Sequence, residues 1–197
     1  NVQFSGEKFP DRMMKSLINK YDSFARVNFI DIETQDADEI IHLASFGDKL
    51  LQFKRNICHV VATQEDYEVL DSSYRYAGVS NSSQVTTTDF GIIWANINGL
   101  FFYNGSKLQN LLDFEGTELL DTATWKNVMS SKEDEQVIVG YNAPTKDIII
   151  MVQKRADQTD IVNSRGFVYN LYKKNIRTNG EFYIDNILNE AIQSGYI

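Results

Sequence analysis

Residues 84–110 read QVTTTDFGIIWANINGLFFYNGSKLQN. Two Asn-Gly pairs, Asn98-Gly99 and Asn104-Gly105, each stand between runs of aromatic and β-branched residues. Asn-Gly is a strong hairpin signal because both central residues of a type I′ turn take positive φ. A third break, Asp89-Phe90-Gly91, comes before them. The spacing predicts four short antiparallel strands, at about 84–88, 91–96, 100–103 and 107–110. Four strands in so short a stretch make one sheet of the size and form of a propeller blade.

The same rhythm recurs on either side. Over 38–64 a strand from Ile40 to Ala44 turns at Gly47-Asp48 into LLQFK, and Arg55-Asn56 turns that into ICHVVAT. From Gln136, QVIVGYN, the turn Ala143-Pro144-Thr145-Lys146-Asp147 and IIIMVQK form a hairpin. RGFVYNLYKKN follows as one alternating strand, and Asn179-Gly180 turns into EFYID. Spacing between groups is about 45 to 50 residues, the scale of propeller blades. Blade-like groups are therefore expected near 9–35, 38–64, 84–110 and 136–185. The expected fold class is all-β, with antiparallel four-stranded blades of a whole or partial β-propeller and one or two short helices. It fills 1–197 as a single domain or as a fragment of a larger propeller.

Between these groups the pattern changes. Residues 9–21, FPDRMMKSLINKY, fit a helix through Met13, Met14, Leu17, Ile18 and Tyr21, or an extended strand over 11–18; period alone leaves both open. Val27, Phe29 and Ile30 read as a short strand, and 64–83 as a link. Thr124 is placed to cap a short helix through Trp125, Val128 and Met129. In the tail, Ile187, Leu188, Ala191 and Ile192 share a helical face.

The 197 residues are 43% hydrophobic and 12% aromatic, which marks a globular chain rich in strand formers. A net charge of −8 argues against a nucleic-acid-binding face. No apolar run reaches the ~18 residues a membrane-spanning helix needs. The N-terminal NVQFSGEKF has no signal-peptide pattern and reads as the start of a segment cut from a longer polypeptide.

Candidate chemistry is sparse. Cys58 is the lone cysteine, so no internal disulfide forms and a buried strand thiol is expected. His42 and His59 lie in strands without clustered ligands, so packed positions are expected and no metal site. The acidic run DIETQDADE at 31–39 lacks the glycine a calcium loop requires, and reads as a solvated loop. No nucleophile elbow, phosphate loop, zinc-helix or dinucleotide motif occurs, so neither catalytic residues nor a cofactor are expected.

The most specific motif is Thr87-Thr88-Asp89-Phe90-Gly91-Ile92-Ile93-Trp94. It resembles the Asp-box of sialidase-type propellers, Ser/Thr-x-Asp-x-Gly-x-Thr-Trp, with Ile93 in place of the threonine. In that setting Asp89 accepts turn amides, Gly91 takes the positive φ, and Trp94 packs under the hairpin. The box lies away from the active site in those enzymes, and the arginine cluster of a sialidase has no counterpart here. Thr87, Asp89, Gly91, Trp94, Asn98, Gly99, Asn104 and Gly105 are thus expected to be turn and packing residues.

FPDRMMKS, FGDKLLQFKRNICHVV and YAGVSNSSQVTTTDFGIIWANINGLFFYNGSKLQNL follow one another in an order that resembles a known family. It is the propeller region of tail proteins from short-tailed and crAss-like bacteriophages, the nozzle, stabilisation or muzzle proteins closing the portal channel. The family pattern of a Gly-Val-Ser loop, Thr-Asp-x-Gly-x-x-Trp and a Gly-aromatic-Tyr-x-Gly hairpin is matched by Gly78-Val79-Ser80, Thr88-Asp89, Gly91, Trp94, Gly99, Tyr103 and Gly105. GYNAPTKDIII and RGFVYNLYKK resemble its next blade, so the likeness runs from about residue 9 to 175. It favours the strand over 11–18. It implies a non-enzymatic virion protein that forms a homo-oligomeric ring and contacts adaptor, portal and fibre proteins, with neither membrane insertion nor nucleic-acid sequence recognition. Such proteins are normally several times longer. Two other readings stand beside it: a carbohydrate- or protein-binding propeller of bacterial origin, and a sialidase-like glycosidase.

Overall fold

The computed structural model describes residues 2–4, 7–17, 19–32, 38–63, 67–114, 116–130, 135–154 and 165–179. The fold is all-β, built of antiparallel four-stranded sheets with one short α-helix among the described residues. The chain divides into two compact units, Asn1–Ser80 and Asn81–Ile197.

In the first unit β1 (Val2–Phe4) pairs with β2 (Glu7–Phe9), and β3 (Arg12–Met14) with β4 (Phe29–Asp31). β3 resolves the ambiguity of 9–21 in favour of a strand. Met13 packs with Ile32 and Val61, whereas Leu17, which a helix would place on Met13's face, is 38% exposed. The strand is shorter than the 11–18 expected. Val27 lies in a turn outside β4.

The four-stranded sheet of this unit runs β5 (His42–Phe46), β6 (Lys49–Phe53), β7 (Ile57–Thr63) and β8 (Glu68–Arg75), each pairing with the next. Gly47, at φ 60°, makes the first turn. Leu51, Phe53, Cys58, Val60 and Val61 fill the centre of the sheet. β8 corrects the sequence reading, which had a link over 64–83. Its residues are exposed or half-buried, so burial patterning could not mark it; the ladder to β7 makes it a strand. Among the described residues the group at 9–35 supplies two-stranded pairings and no four-stranded sheet.

The second unit opens with a 3-10 turn, Ser82–Gln84, and the sheet β9 (Val85–Thr88), β10 (Gly91–Asn96), β11 (Gly99–Tyr103) and β12 (Leu108–Asn110). These are the four expected strands to within a residue at each end. A two-stranded hairpin, β13 (Asp113–Phe114) and β14 (Thr117–Glu118), leads to α1 (Thr122–Met129). The helix starts earlier than expected: Asp121, and not Thr124, is its N-cap, its carboxylate accepting from Ala123 N and Thr124 N. A carboxylate there meets two free amides and the positive helix end together.

The last sheet is β15 (Glu135–Asn142), β16 (Asp147–Lys154), β17 (Arg165–Asn170) and β18 (Asn175–Asn179). The single strand expected over 165–175 is broken at Asn170. That side chain donates to Thr145 O at 3.0 Å and to Asp147 Oδ1 at 2.7 Å, and its Oδ1 accepts Lys173 N at 2.8 Å, which folds 171–174 into a turn. EFYID, the segment expected to form a tail helix and most of the acidic 31–39 run lie outside the described residues.

One apolar core joins the two sheets of this unit. Ile93, Ala95 and Leu100 share it with Val137, Val139, Ile148, Ile150 and Phe167, and α1 closes it with Trp125 and Met129. β15 lies alongside β9 and β10, where Ser83 Oγ donates to Val137 O at 2.7 Å. Because β10 is buried along its whole length, the alternate face carrying Ile92 and Trp94 is covered as well. Arg165 ties the helix end to the sheet: it holds Glu135 with two hydrogen bonds, 2.8 and 2.9 Å, and donates to Val128 O and Ser130 O.

Candidate functional site

Alternating strand direction brings three turns of the second unit to one end: Asp89-Phe90 between β9 and β10, 143–146 between β15 and β16, and 171–174 between β17 and β18. The backbone of two of them is tied directly, Leu171 N donating to Lys146 O at 3.0 Å. Lys146 sits at φ 58°, a left-handed position uncommon for a side-chain-bearing residue. From there its ammonium lies 3.1 Å from Asp89 Oδ2, 5.2 Å from the Phe90 ring centre and 5.7 Å from that of Tyr141. Tyr141 OH donates to the same Asp89 oxygen at 3.4 Å. The Tyr172 ring meets Phe90 edge to face, centroids 6.3 Å apart. Hydrogen bonding to Tyr141 and then to Asp89 raises the Lys146 pKa, so the ammonium stays charged at neutral pH.

This end is where Asp89 departs from its expected role. Its carboxylate turns outward to Lys146 and Tyr141, and Thr88 organises the turn: Thr88 Oγ1 accepts Phe90 N at 3.1 Å and donates to Gly91 O at 2.9 Å. Thr87 is exposed and pairs with Ile92. Gly91 has φ 151°, and a Cβ there would fall 2.1 Å from Tyr103 O, so close approach of β11 reinforces the conformational demand. Trp94 is fully buried, its ring 5.7 Å from that of Phe101.

The Asn-Gly turns also differ in detail. Asn96 pairs with Gly99, so the central residues of that turn are Ile97 and Asn98, and neither has positive φ. Asn96 Oδ1 accepts Asn98 N at 2.7 Å and sets the bend. Asn104 accepts from Ser106 N and Lys107 N, and Gly105 takes φ 94°. The sequence-derived residues therefore separate: Thr87, Asp89, Gly91, Asn104 and Gly105 lie in or beside the turns at one end of their sheet, whereas Asn98 and Gly99 lie at the other. Phe90, Tyr141, Lys146 and Tyr172 were absent from the sequence-derived set; their signal is strand parity, which sends these turns to one end once the sheets are aligned.

At the opposite end a crease of about 300 Å³ is lined by Asn98, Asn110, Asp113, Glu118, Thr122 and Trp125. Its polar groups serve the backbone: Asn110 Oδ1 accepts Leu112 N, and Glu118 accepts Thr122 N at 2.7 Å. Trp125 presents no free ring face there, being 1% exposed and stacked on Phe167.

In the first unit His59 is buried, with Nδ1 2.8 Å from Ser73 Oγ, and His42 lies beside Phe53 with its pKa lowered by burial. Burial drives the Cys58 thiol pKa far up. Among the described residues no three His, Cys, Asp or Glu side chains are grouped as around a metal ion. No family model matches this chain, and no curated protein matches it.

Proposed function

We propose that this chain is a structural, non-enzymatic module of a bacteriophage tail, a nozzle- or muzzle-type propeller protein at the portal–tail channel that acts through protein–protein contacts. Its place is then the virion, with assembly in the host cytoplasm and a ring of identical copies meeting adaptor, portal and fibre proteins. The motif order described above supports the reading, and so do the four-stranded meander sheets.

The observation that carries it is the arm between β3 and β4. Its backbone is held by turns of its own: Lys15 N to Asn28 O at 2.9 Å, Leu17 N to Ser23 O at 2.9 Å and Asn28 N to Ala25 O at 2.9 Å. Asn28 Nδ2 adds bonds to Lys15 O and Ser16 O. Yet the arm exposes Tyr21 by 82%, Phe24 by 53% and Val27 by 86%. A segment that folds on turns of its own and presents aromatic and aliphatic side chains outward has the makings of an interface.

Electron microscopy and sedimentation of the full-length protein test this. Rings are expected, and a Tyr21→Ser/Phe24→Ser/Val27→Ser variant should remain folded and lose them. Persistent monomers at high concentration would overturn the proposal.

A further inference from the structure

The three-turn end of the second unit carries an arrangement that assembly through the arm does not use. Tyr172 is 71% exposed and Phe90 40%, each bracing the other edge to face. Beside them is a carboxylate, that of Asp89, whose side chain is 66% exposed and whose Oδ2 takes both Lys146 and Tyr141. Two donors on one oxygen hold an otherwise mobile side chain in place. Asp89 Oδ1 has no partner among the described residues. The Lys146 ammonium neutralises the carboxylate while its own side chain is only 20% exposed, so the spot has no net charge to offer an ion.

An exposed aromatic face next to a fixed acceptor is amphipathic on the scale of one sugar ring. A pyranose has C–H-rich faces, which stack on an aromatic ring, and an edge of hydroxyl donors, which a carboxylate oxygen accepts. We propose that Tyr172, Phe90 and Asp89 form a binding subsite for a neutral hexose-based glycan, with Tyr172 as stacking platform, Asp89 Oδ1 as hydroxyl acceptor, and Lys146 and Tyr141 as positioning residues. Because Lys146 and Asp89 offset each other, the spot gives a charged sugar no advantage over a neutral one. Every residue in the subsite belongs to one unit of one chain, so a single copy supplies all of it.

Titration of the full-length protein with maltohexaose, cellohexaose and N-acetylchitohexaose, followed by calorimetry and by the Tyr172 and Phe90 ring resonances, tests the proposal. At least one of these oligosaccharides should bind at millimolar concentration and move those resonances. Tyr172→Ala and Asp89→Asn should each weaken binding about tenfold or more, whereas Tyr76→Ala, which removes a 71% exposed tyrosine of the other unit, should leave it unchanged. Asp89→Asn keeps the side chain's shape, so unchanged tryptophan fluorescence separates lost binding from lost folding. Failure of all three oligosaccharides to bind, or binding that survives both substitutions, would overturn the subsite and leave the assembly proposal untouched.

Discussion

The indole of Trp125 stacks on the ring of Phe167, centroids 5.2 Å apart and planes 21° from parallel, while its Nε1 donates to Asn96 O at 3.0 Å. One side chain thus fastens α1 to a strand of one sheet and to the β10–β11 turn of the other. Trp125→Ala removes the stack, opens a cavity and takes one hydrogen bond from Asn96 O. The expected loss is about 3–5 kcal/mol of stability in the second unit, read from denaturant unfolding followed by Trp94 fluorescence. A loss below about 1 kcal/mol would mean that the helix does not help to hold the two sheets together.

Gly91 and Gly140 make a matched pair of tests. An added Cβ at Gly91 would fall 2.1 Å from Tyr103 O and 2.8 Å from the Phe102 ring, at a φ of 151° that L side chains rarely adopt. At Gly140 it would meet nothing within 4 Å. Gly91→Ala should destabilise the unit by more than about 1 kcal/mol, and Gly140→Ala by a few tenths at most. Equal effects would show that strand spacing at β10–β11 is looser than its hydrogen-bond register.

Arg165→Met should loosen the α1–β15 junction. The Glu135 side chain is 8% exposed and would lose both guanidinium bonds, and Val128 O and Ser130 O would lose a donor at the helix end. Arg165 is itself 36% exposed, so solvent screening holds the expected loss to about 1–2 kcal/mol, below that for a fully buried pair. Adding Glu135→Gln to Arg165→Met should recover part of it, as a double-mutant cycle would register.

Cys58 reports on the first unit. It is fully buried, and its thiol is shifted far above the ordinary 9.0. The unfolded chain sheds this proton above about that pH, whereas the folded chain keeps it, so this contribution to stability is complete below pH 9.0 and is lost as pH rises beyond it. Thiol reagents should label Cys58 only on opening of the sheet, at a rate that climbs steeply in alkali. Fast stoichiometric labelling at neutral pH would contradict its burial.

Strand existence was legible where the chain states both its turns and its interior. In GIIWAN, apolar residues are bounded by Asp89-Phe90-Gly91 on one side and an Asn-Gly pair on the other, and β10 follows. Turn chemistry was less so, because Asn-Gly permits a positive-φ turn without enforcing it. Asn96, one residue earlier than the pair suggests in its own register, captures Asn98 N and moves the turn centre to Ile97-Asn98. β8 was missed because EVLDSSYR carries its apolar residues on an exposed strand, where alternation has no core to answer to. The split at Asn170 was missed because Thr145 and Asp147, its partners, are distant in sequence. The three-turn end is a property of how two sheets align. Only Asp89 and its neighbours could be singled out from residue order, and even Asp89 was assigned the work that Thr88 performs.

Both tryptophans of the chain, Trp94 and Trp125, fall in the second unit, and the single cysteine falls in the first. Intrinsic indole emission is therefore a private channel for one half of the molecule, and thiol labelling is a private channel for the other. Whether the halves melt as one cooperative body or in sequence can be decided on the native chain with no engineered probe: coincident midpoints in the two channels mean coupling, and separated midpoints mean autonomy.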